Sequence, residues 1–265
     1  MKNTDKYGKE MLAVYKIERQ EKILQYINKQ ERASVVELSE MFEVSKVTIR
    51  SDIDELESKG LLNKTHGGAV SKDIGLSSEV PYEVKNKSKI KEKQKIAIEA
   101  LRFIDEKDIV ILDSGSTTFR LVEGLPNGIT VITTDILIAL EIIKSKKNIH
   151  VIMPGGNVDP LYTVQGIDTL RFFENLHADT IFLGCDGVDP EFGISESSRE
   201  YAAIKRAMIK SAGQVILMTD SSKFGFKRAA KVCSLNKVDI FITDKMDDAM
   251  QKQCTEDGIQ VIVVK

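Results

Sequence analysis

The stretch "ILDSGSTTFRLV", residues 111–122, decides the fold of the larger part of this chain. It begins as an apolar run, breaks into Asp, Gly, Ser and Thr, and resumes as a mixed apolar and polar segment. That outline predicts a strand, a tight turn and a helix starting at Thr117. A turn that presents small hydroxyls and backbone N–H groups at a helix N-terminus suits an anion, above all a phosphate.

The same unit recurs on either side. "IAIEALRFI" reads as an amphipathic helix before it. After it, the apolar runs in "TVITT", "IHVIMPGG", "ADTIFLGCD", "QVILMTD", "VDIFITD" and "IQVIVV" alternate with helical segments in "DILIALEIIK", "DTLRFFENL" and "SSREYAAIKRAMIKSA". Apolar runs of about five residues without alternation are what strands buried on both faces look like. The rhythm predicts a mostly parallel Rossmann-like α/β sheet covered by helices, over residues 96–265.

In such sheets ligands bind beyond the carboxyl ends of the strands, and polar clusters recur there. Ser114, Gly115, Ser116, Thr117 and Thr118 would offer hydroxyls and N–H groups to a phosphate. Asp113 and Asp186 would accept hydrogen bonds from sugar hydroxyls, and Lys223 would supply a cation held by Asp220. Thr134, Asp135, Gly155 and Gly187 sit at the remaining strand ends. Glu196, Glu200 and Lys205 either face the same cleft or lie on an exposed helix surface. Any one cluster could also be an ordinary turn or helix cap.

The front of the chain reads differently. Ile17, Ile23, Leu24 and Ile27 form a helical stripe. In "SVVELSEMF", Ser34 and Glu37 have capping-box spacing before a short second helix. Ser45 can cap a third helix, "KVTIRSDIDELESKG", ending at Gly60. Ile49, Ile53 and Leu56 share its inner face, so Lys46, Val47, Thr48, Arg50 and Ser51 belong to the outward N-terminal part. "LLNKTHGGAV" then reads as a β-hairpin turning at Gly67-Gly68. This is the layout of a winged helix-turn-helix, with Ser45 to Ser51 entering the major groove of double-stranded DNA and Lys64 and His66 on the wing near its backbone or minor groove. A bundle serving only packing or dimerisation fits the pattern as well.

Bulk properties narrow the classes. The 265 residues carry a net charge of −2, but residues 1–95 are net +3 and residues 96–265 net −5. Lysines alternate along "KNKSKIKEKQK", which suits either a nucleic-acid partner or a solvated linker. Cys185, Cys233 and Cys254 are widely spaced, which argues against a disulfide framework, and three scattered histidines suggest neither a metal cluster nor a triad base. No run is long and apolar enough to span a membrane and the start lacks a signal-peptide core, so a cytoplasmic protein without cofactor or metal is expected.

"VSKVTIRSDIDELESKGLLNKTHGGAV" resembles the N-terminal signature of the DeoR family of transcriptional regulators, and Asp113 to Thr118, Asp186-Gly187 and Asp220 to Phe224 are similar to that family's effector-domain motifs. Ser51 stands where a second arginine is common. The chain thus divides into an N-terminal extension (1–16), which departs from the family's usual pattern, a winged helix-turn-helix domain (17–72), a linker by composition (73–95) and an effector domain (96–265), which the resemblance likens to the sugar-phosphate isomerase and CoA-transferase fold. The resemblance also implies that Lys85 and Lys93, with Asp220 and Lys223, take part in the effector response. The function it implies is repression of a sugar-catabolism operon by a homo-oligomer, dimer or tetramer, that leaves its operator when a phosphorylated sugar binds. A sugar-phosphate isomerase or aminosugar deaminase with an appended DNA-binding module is the rival expectation. A serine hydrolase is disfavoured by the lack of a Gly-x-Ser-x-Gly elbow.

Overall fold

The computed structural model describes residues 16–24, 26, 27, 30, 32–59, 61–71 and 82–265, and falls into two compact units, Met1–Lys89 and Ile90–Lys265. All but the last residue of the expected N-terminal extension, the Gly60 stop and the stretch around Pro81 lie outside the described residues.

In the first unit, α1 covers residues 16–24, and 26, 27 and 30 are also helical. It is followed by β1 (Arg32–Ser34), α2 (Val35–Met41), α3 (Lys46–Ser58), β2 (Leu62–Thr65), β3 (Gly68–Ser71) and α4 (Tyr82–Lys87). The expected caps form. Ser34 Oγ accepts the Glu37 N–H at 3.1 Å while Glu37 accepts the Ser34 N–H at 3.3 Å, and Ser45 Oγ accepts the Thr48 N–H at 3.1 Å. Ile23, Leu24 and Ile27 pack with Leu38, Ile49, Ile53 and Leu56 in one core, as a 3.6-residue period dictates.

The hairpin differs in detail from the expectation. Thr65 pairs with Gly68, so the turn is His66-Gly67 and Gly68 opens the return strand. β1, which the sequence did not announce, pairs along the other side of β3 and brings the Ala33 carbonyl against Gly68, where a Cβ would lie 2.0 Å from that oxygen. Only glycine fits there.

The second unit starts inside the stretch read as linker. α5 (Ile90–Ala100) is followed by β4 (Ile109–Leu112), β5 (Thr130–Thr133), α6 (Ile136–Ser145), β6 (His150–Ile152), β7 (Asn157–Val158), β8 (Val164–Gln165), α7 (Ile167–Glu174), β9 (Ala178–Leu183), β10 (Gly187–Asp189), β11 (Gly193–Glu196), α8 (Arg199–Ser211), β12 (Ala212–Met218), β13 (Ala230–Cys233), β14 (Ile240–Thr243), α9 (Asp248–Glu256) and β15 (Gln260–Val263). Seven strands form one parallel sheet in the order β15-β14-β12-β9-β4-β5-β6. Buried side chains of α5 and α6 pack on one face, and those of α7, α8 and α9 on the other.

Two features bear on function. The helix expected from Thr117 is a 3-10 segment, Thr118–Gly124. Pro126 bars the α conformation for Leu125, and Gly124 and Pro126 stop the segment short. The unpredicted antiparallel sheet β10-β11-β13 is linked to the loop after β12 by a bridge between Val188 and Phe224.

Candidate functional site

On α3 the inward face is fixed by more than aliphatic packing. Asp52, fully buried, takes Arg19 Nε of α1 at 2.5 Å and Gln20 Nε2 at 3.3 Å. Its place in register with Ile49, Ile53 and Leu56 could have marked it as inward from the sequence. The opposite face presents Lys46, Val47, Arg50 and Ser51 to solvent. Thr48 departs from the expectation. It is half-buried, and its hydroxyl sits 2.8 Å from Ser45 Oγ within the cap, so neither hydroxyl points freely outward. Lys64 on β2 pairs with Asp54 of α3, and its N–H donates to Glu57 at 2.8 Å, which fastens the wing to the helix. His66 is exposed at the wing's tip.

In the second unit the chain runs from β4 outward to β6 and then returns to the other side of β4 to build β9 and its neighbours. The crevice of such a sheet lies where the order reverses, at the carboxyl ends of β4 and β9. Asp113 and Gly184 stand there. Asp113 Oδ2 accepts the Gly184 N–H at 2.9 Å and pairs with Lys205 Nζ at 2.8 Å. The same ammonium donates to Glu196 Oε1 at 2.5 Å and to the Gly184 carbonyl at 2.9 Å. Burial alone would lower the Lys205 pKa, but Asp113 and Glu196 outweigh it and hold the ammonium above its ordinary value. Asp113 was expected to meet a ligand's hydroxyls. Its carboxylate is instead joined to a lysine in a buried triad with two carboxylates and one ammonium.

The loop after β4 divides its hydroxyls between structure and site. Ser114 Oγ lies 3.2 Å from Asp135 Oδ2 and 2.8 Å from Thr163 Oγ1, and Thr118 Oγ1 donates to the carbonyls of Asp113 and Gly115 at 2.7 and 2.9 Å. Ser116 and Thr117 are more than nine-tenths buried, and among the described residues their hydroxyls have no hydrogen-bond partner. The backbone N–H of Gly115 reaches the Asp135 carboxylate. Asp135 caps α6, accepting the N–H groups of Leu137 and Ile138 at 2.8 and 3.1 Å. Burial, the largest influence, pushes its carboxyl up to about 6 against those hydrogen bonds. Thr134 is buried, and its carbonyl accepts the Val164 N–H of the β7–β8 hairpin at 2.8 Å.

A second charged group adjoins this loop. α5 packs on the 3-10 segment and on β12 and β14, which puts Lys93, buried, on the same side as the loop after β12. Asp220 and Lys223 in that loop are buried too. Burial opposes ionisation of Asp220, but the charges of Lys223 and Lys93 prevail and hold its carboxyl below the usual range. The loop is tied to β10, since Gly225 N–H donates to the Val188 carbonyl at 2.8 Å. Just before β10, Asp186 accepts Ser197 Oγ at 3.0 Å, and its carbonyl accepts Arg228 Nε at 3.2 Å. Thr163, Ser197 and Arg228 carried no signal in the sequence, because non-local pairing brings them here.

Other expected residues fall outside this arrangement. Gly187 is glycine for packing: a Cβ would lie 2.3 Å from the Phe226 carbonyl. Gly155 is exposed beyond the edge strand β6, its carbonyl bonded to Thr169 Oγ1 at 2.8 Å. Glu200 is exposed in the first turn of α8 and accepts Ser198 Oγ at 3.0 Å, where it complements the helix dipole. Lys85 lies on α4, in the first unit. Cys185 is next to the crevice, but burial pushes its thiol up to about 12, which leaves it unreactive.

Known proteins share both units. Residues 19–74 match the family model described as a DeoR-like helix-turn-helix domain, and residues 88–245 match the DeoR C-terminal sensor domain. An uncharacterized HTH-type transcriptional regulator of Bacillus subtilis, YulB, is 36% identical over 93% of this chain and 96% of its own length. An L-fucose operon activator from Haemophilus influenzae is 31% identical over 92% of this chain and 99% of its own. The lactose phosphotransferase system repressor of Staphylococcus epidermidis is 30% identical over 93% and 99% respectively. Among solved structures, ribose 5-phosphate isomerase A from Methanocaldococcus jannaschii aligns with 52% of this chain and 55% of its own at 16% identity and a TM-score of 0.38. A likeness that slight carries no argument.

Proposed function

This chain belongs to the DeoR family of transcriptional regulators, and from that premise we propose that it represses a sugar-catabolism operon and releases its operator when a phosphorylated sugar fills the crevice at the ends of β4, β9 and β12. The observation that carries the reading is the pair of hydroxyls on Ser116 and Thr117, which bond to no group among the described residues and keep their oxygens accessible although the residues as a whole are buried, in a loop flanked by α5 with its buried Lys93. A phosphate would take those hydroxyls and loop N–H groups as donors, with Lys93 and Lys223 supplying charge. Asp186 and the anionic triad of Asp113, Glu196 and Lys205 give the crevice acceptors suited to sugar hydroxyls.

Catalysis fits this chemistry poorly. Asp113 and Glu196 are both engaged in salt bridges to the one Lys205 ammonium, which leaves neither carboxylate free to take a proton from a substrate. The relatives that span the chain are regulators by name, one of them a repressor of a sugar phosphotransferase system. The exposed residues of α3 would enter the major groove, the wing would follow the backbone, and a two-fold symmetric operator calls for a homo-oligomer in the cytoplasm.

The test is a gel-shift titration of the purified protein on its own promoter region, with a panel of sugar phosphates and the matching free sugars. Release by one phosphorylated sugar, recovered unchanged, is the expected result. Turnover of that sugar at ordinary enzymatic rates, or release by free sugars alone, would overturn the reading.

A further inference from the structure

Val47 is the most exposed large apolar side chain among the described residues, with 72% of its surface in solvent. Neither folding nor helix formation explains a valine at this position. It touches no part of the core, and a β-branched side chain loses rotamer freedom in a helix.

Its neighbours indicate what it faces. Arg50, Ser51 and Asp54 lie three, four and seven residues further along α3, and so share Val47's stripe. At the far end of that stripe the wing takes over, because Asp54 is paired with Lys64. At the N-terminal end Lys46, Val47, Arg50 and Ser51 are exposed together. Cationic side chains and the positive end of the helix draw a polyanion to this surface, with one apolar group in its middle.

The major groove of DNA offers one apolar group on its base edges, the 5-methyl of thymine, and the first residues of a recognition helix are those that reach base edges. We propose that Val47 reads the 5-methyl group of one thymine in each operator half-site, and so sets which base pair the protein demands at that position. The inference rests on the reading of α3 as the helix that enters the groove. Arg50 and Lys46 hold and orient the duplex, whereas Val47 discriminates.

The experiment begins by selecting duplexes from a random-sequence library with the full-length protein. Each thymine of the enriched site is then replaced in turn by deoxyuridine, which deletes only the methyl group. For the parent protein, one replacement per half-site is expected to weaken binding about fourfold, the equivalent of one buried methyl. The Val47→Ala protein should bind the thymine and uracil duplexes equally well at that position. A parent protein indifferent to every replacement, or a Val47→Ala protein that retains the same fourfold discrimination, would overturn the inference. Arg50→Ala separates this from the underlying reading. If it binds the selected duplex as tightly as the parent, α3 is not the reading helix and both claims fall. If it loses binding while the uracil series is flat, only the role of Val47 falls. A selection that enriches no sequence counts against both.

Discussion

At the scale of single residues, burial raises two carboxyls at the sheet edge, Asp113 against the pull of Lys205 and Asp135 against its cap hydrogen bonds. Asp135 is raised from 3.8 to about 6. A carboxyl raised by folding binds its proton more readily in the folded chain than in the unfolded one, so its contribution to stability is greatest in acid. That contribution falls as pH rises from about 4 to 6 and levels off above, by on the order of 2–3 kcal/mol. Asn caps a helix about as well as Asp, so Asp135→Asn should flatten this part of the curve of denaturation midpoint against pH. An unchanged slope between pH 4 and 6 would show that Asp135 is not its source. Lys223 is a buried lysine beside Asp220, whose carboxyl it helps to hold below the usual range. Lys223→Ala should bind operator as the parent does but require at least tenfold more sugar phosphate for release, the loss of one charged hydrogen bond of about 1.5 kcal/mol or more. Release at the parent's concentration would remove Lys223 from the site. The pairing of Asp220 with Lys223 was legible because their spacing in one loop is local. The sequence did not show that Asp113 pairs with Lys205, which is 92 positions away and reaches it only once α8 has packed on the sheet.

At the scale of elements, α3 shows why some structure was legible. Its apolar spacing, its Ser45 cap and the capping box of α2 are signals within one or two turns, and each forms as expected. The short strands of the β10-β11-β13 sheet, three or four residues each, have no such local signature, and their pairing with one another depends on the loop that follows β12. α3 also depends on a polar contact to α1. Arg19 and Asp52 form a salt bridge at 2.5 Å with side chains 15% and 0% exposed. Removing one member leaves the other buried without its counter-charge, so Asp52→Ala should cost about 3–5 kcal/mol of stability, read as a lower urea midpoint for the N-terminal unit. A midpoint equal to the parent's would mean that aliphatic packing alone seats α3.

At the scale of the whole molecule, one chain carries a helix-turn-helix unit and a sensor unit, and the proposed regulation requires their two sites to be thermodynamically coupled. A mostly parallel sheet covered by helices was readable in outline, since uninterrupted apolar runs alternate with helices throughout residues 96–265. The crevice at the β4–β9 reversal was not, because strand order is settled by tertiary packing rather than by local sequence. Coupling has a reciprocal signature: if a sugar phosphate weakens operator binding by some factor, operator must weaken sugar-phosphate binding by the same factor. The most direct measurement is calorimetric titration of the releasing sugar phosphate into the full-length protein, alone and saturated with operator duplex, set beside operator affinity with and without that ligand. The account predicts equal factors of about 5–150 in the two directions. A sugar phosphate that binds with the same affinity whether or not operator is present would contradict it.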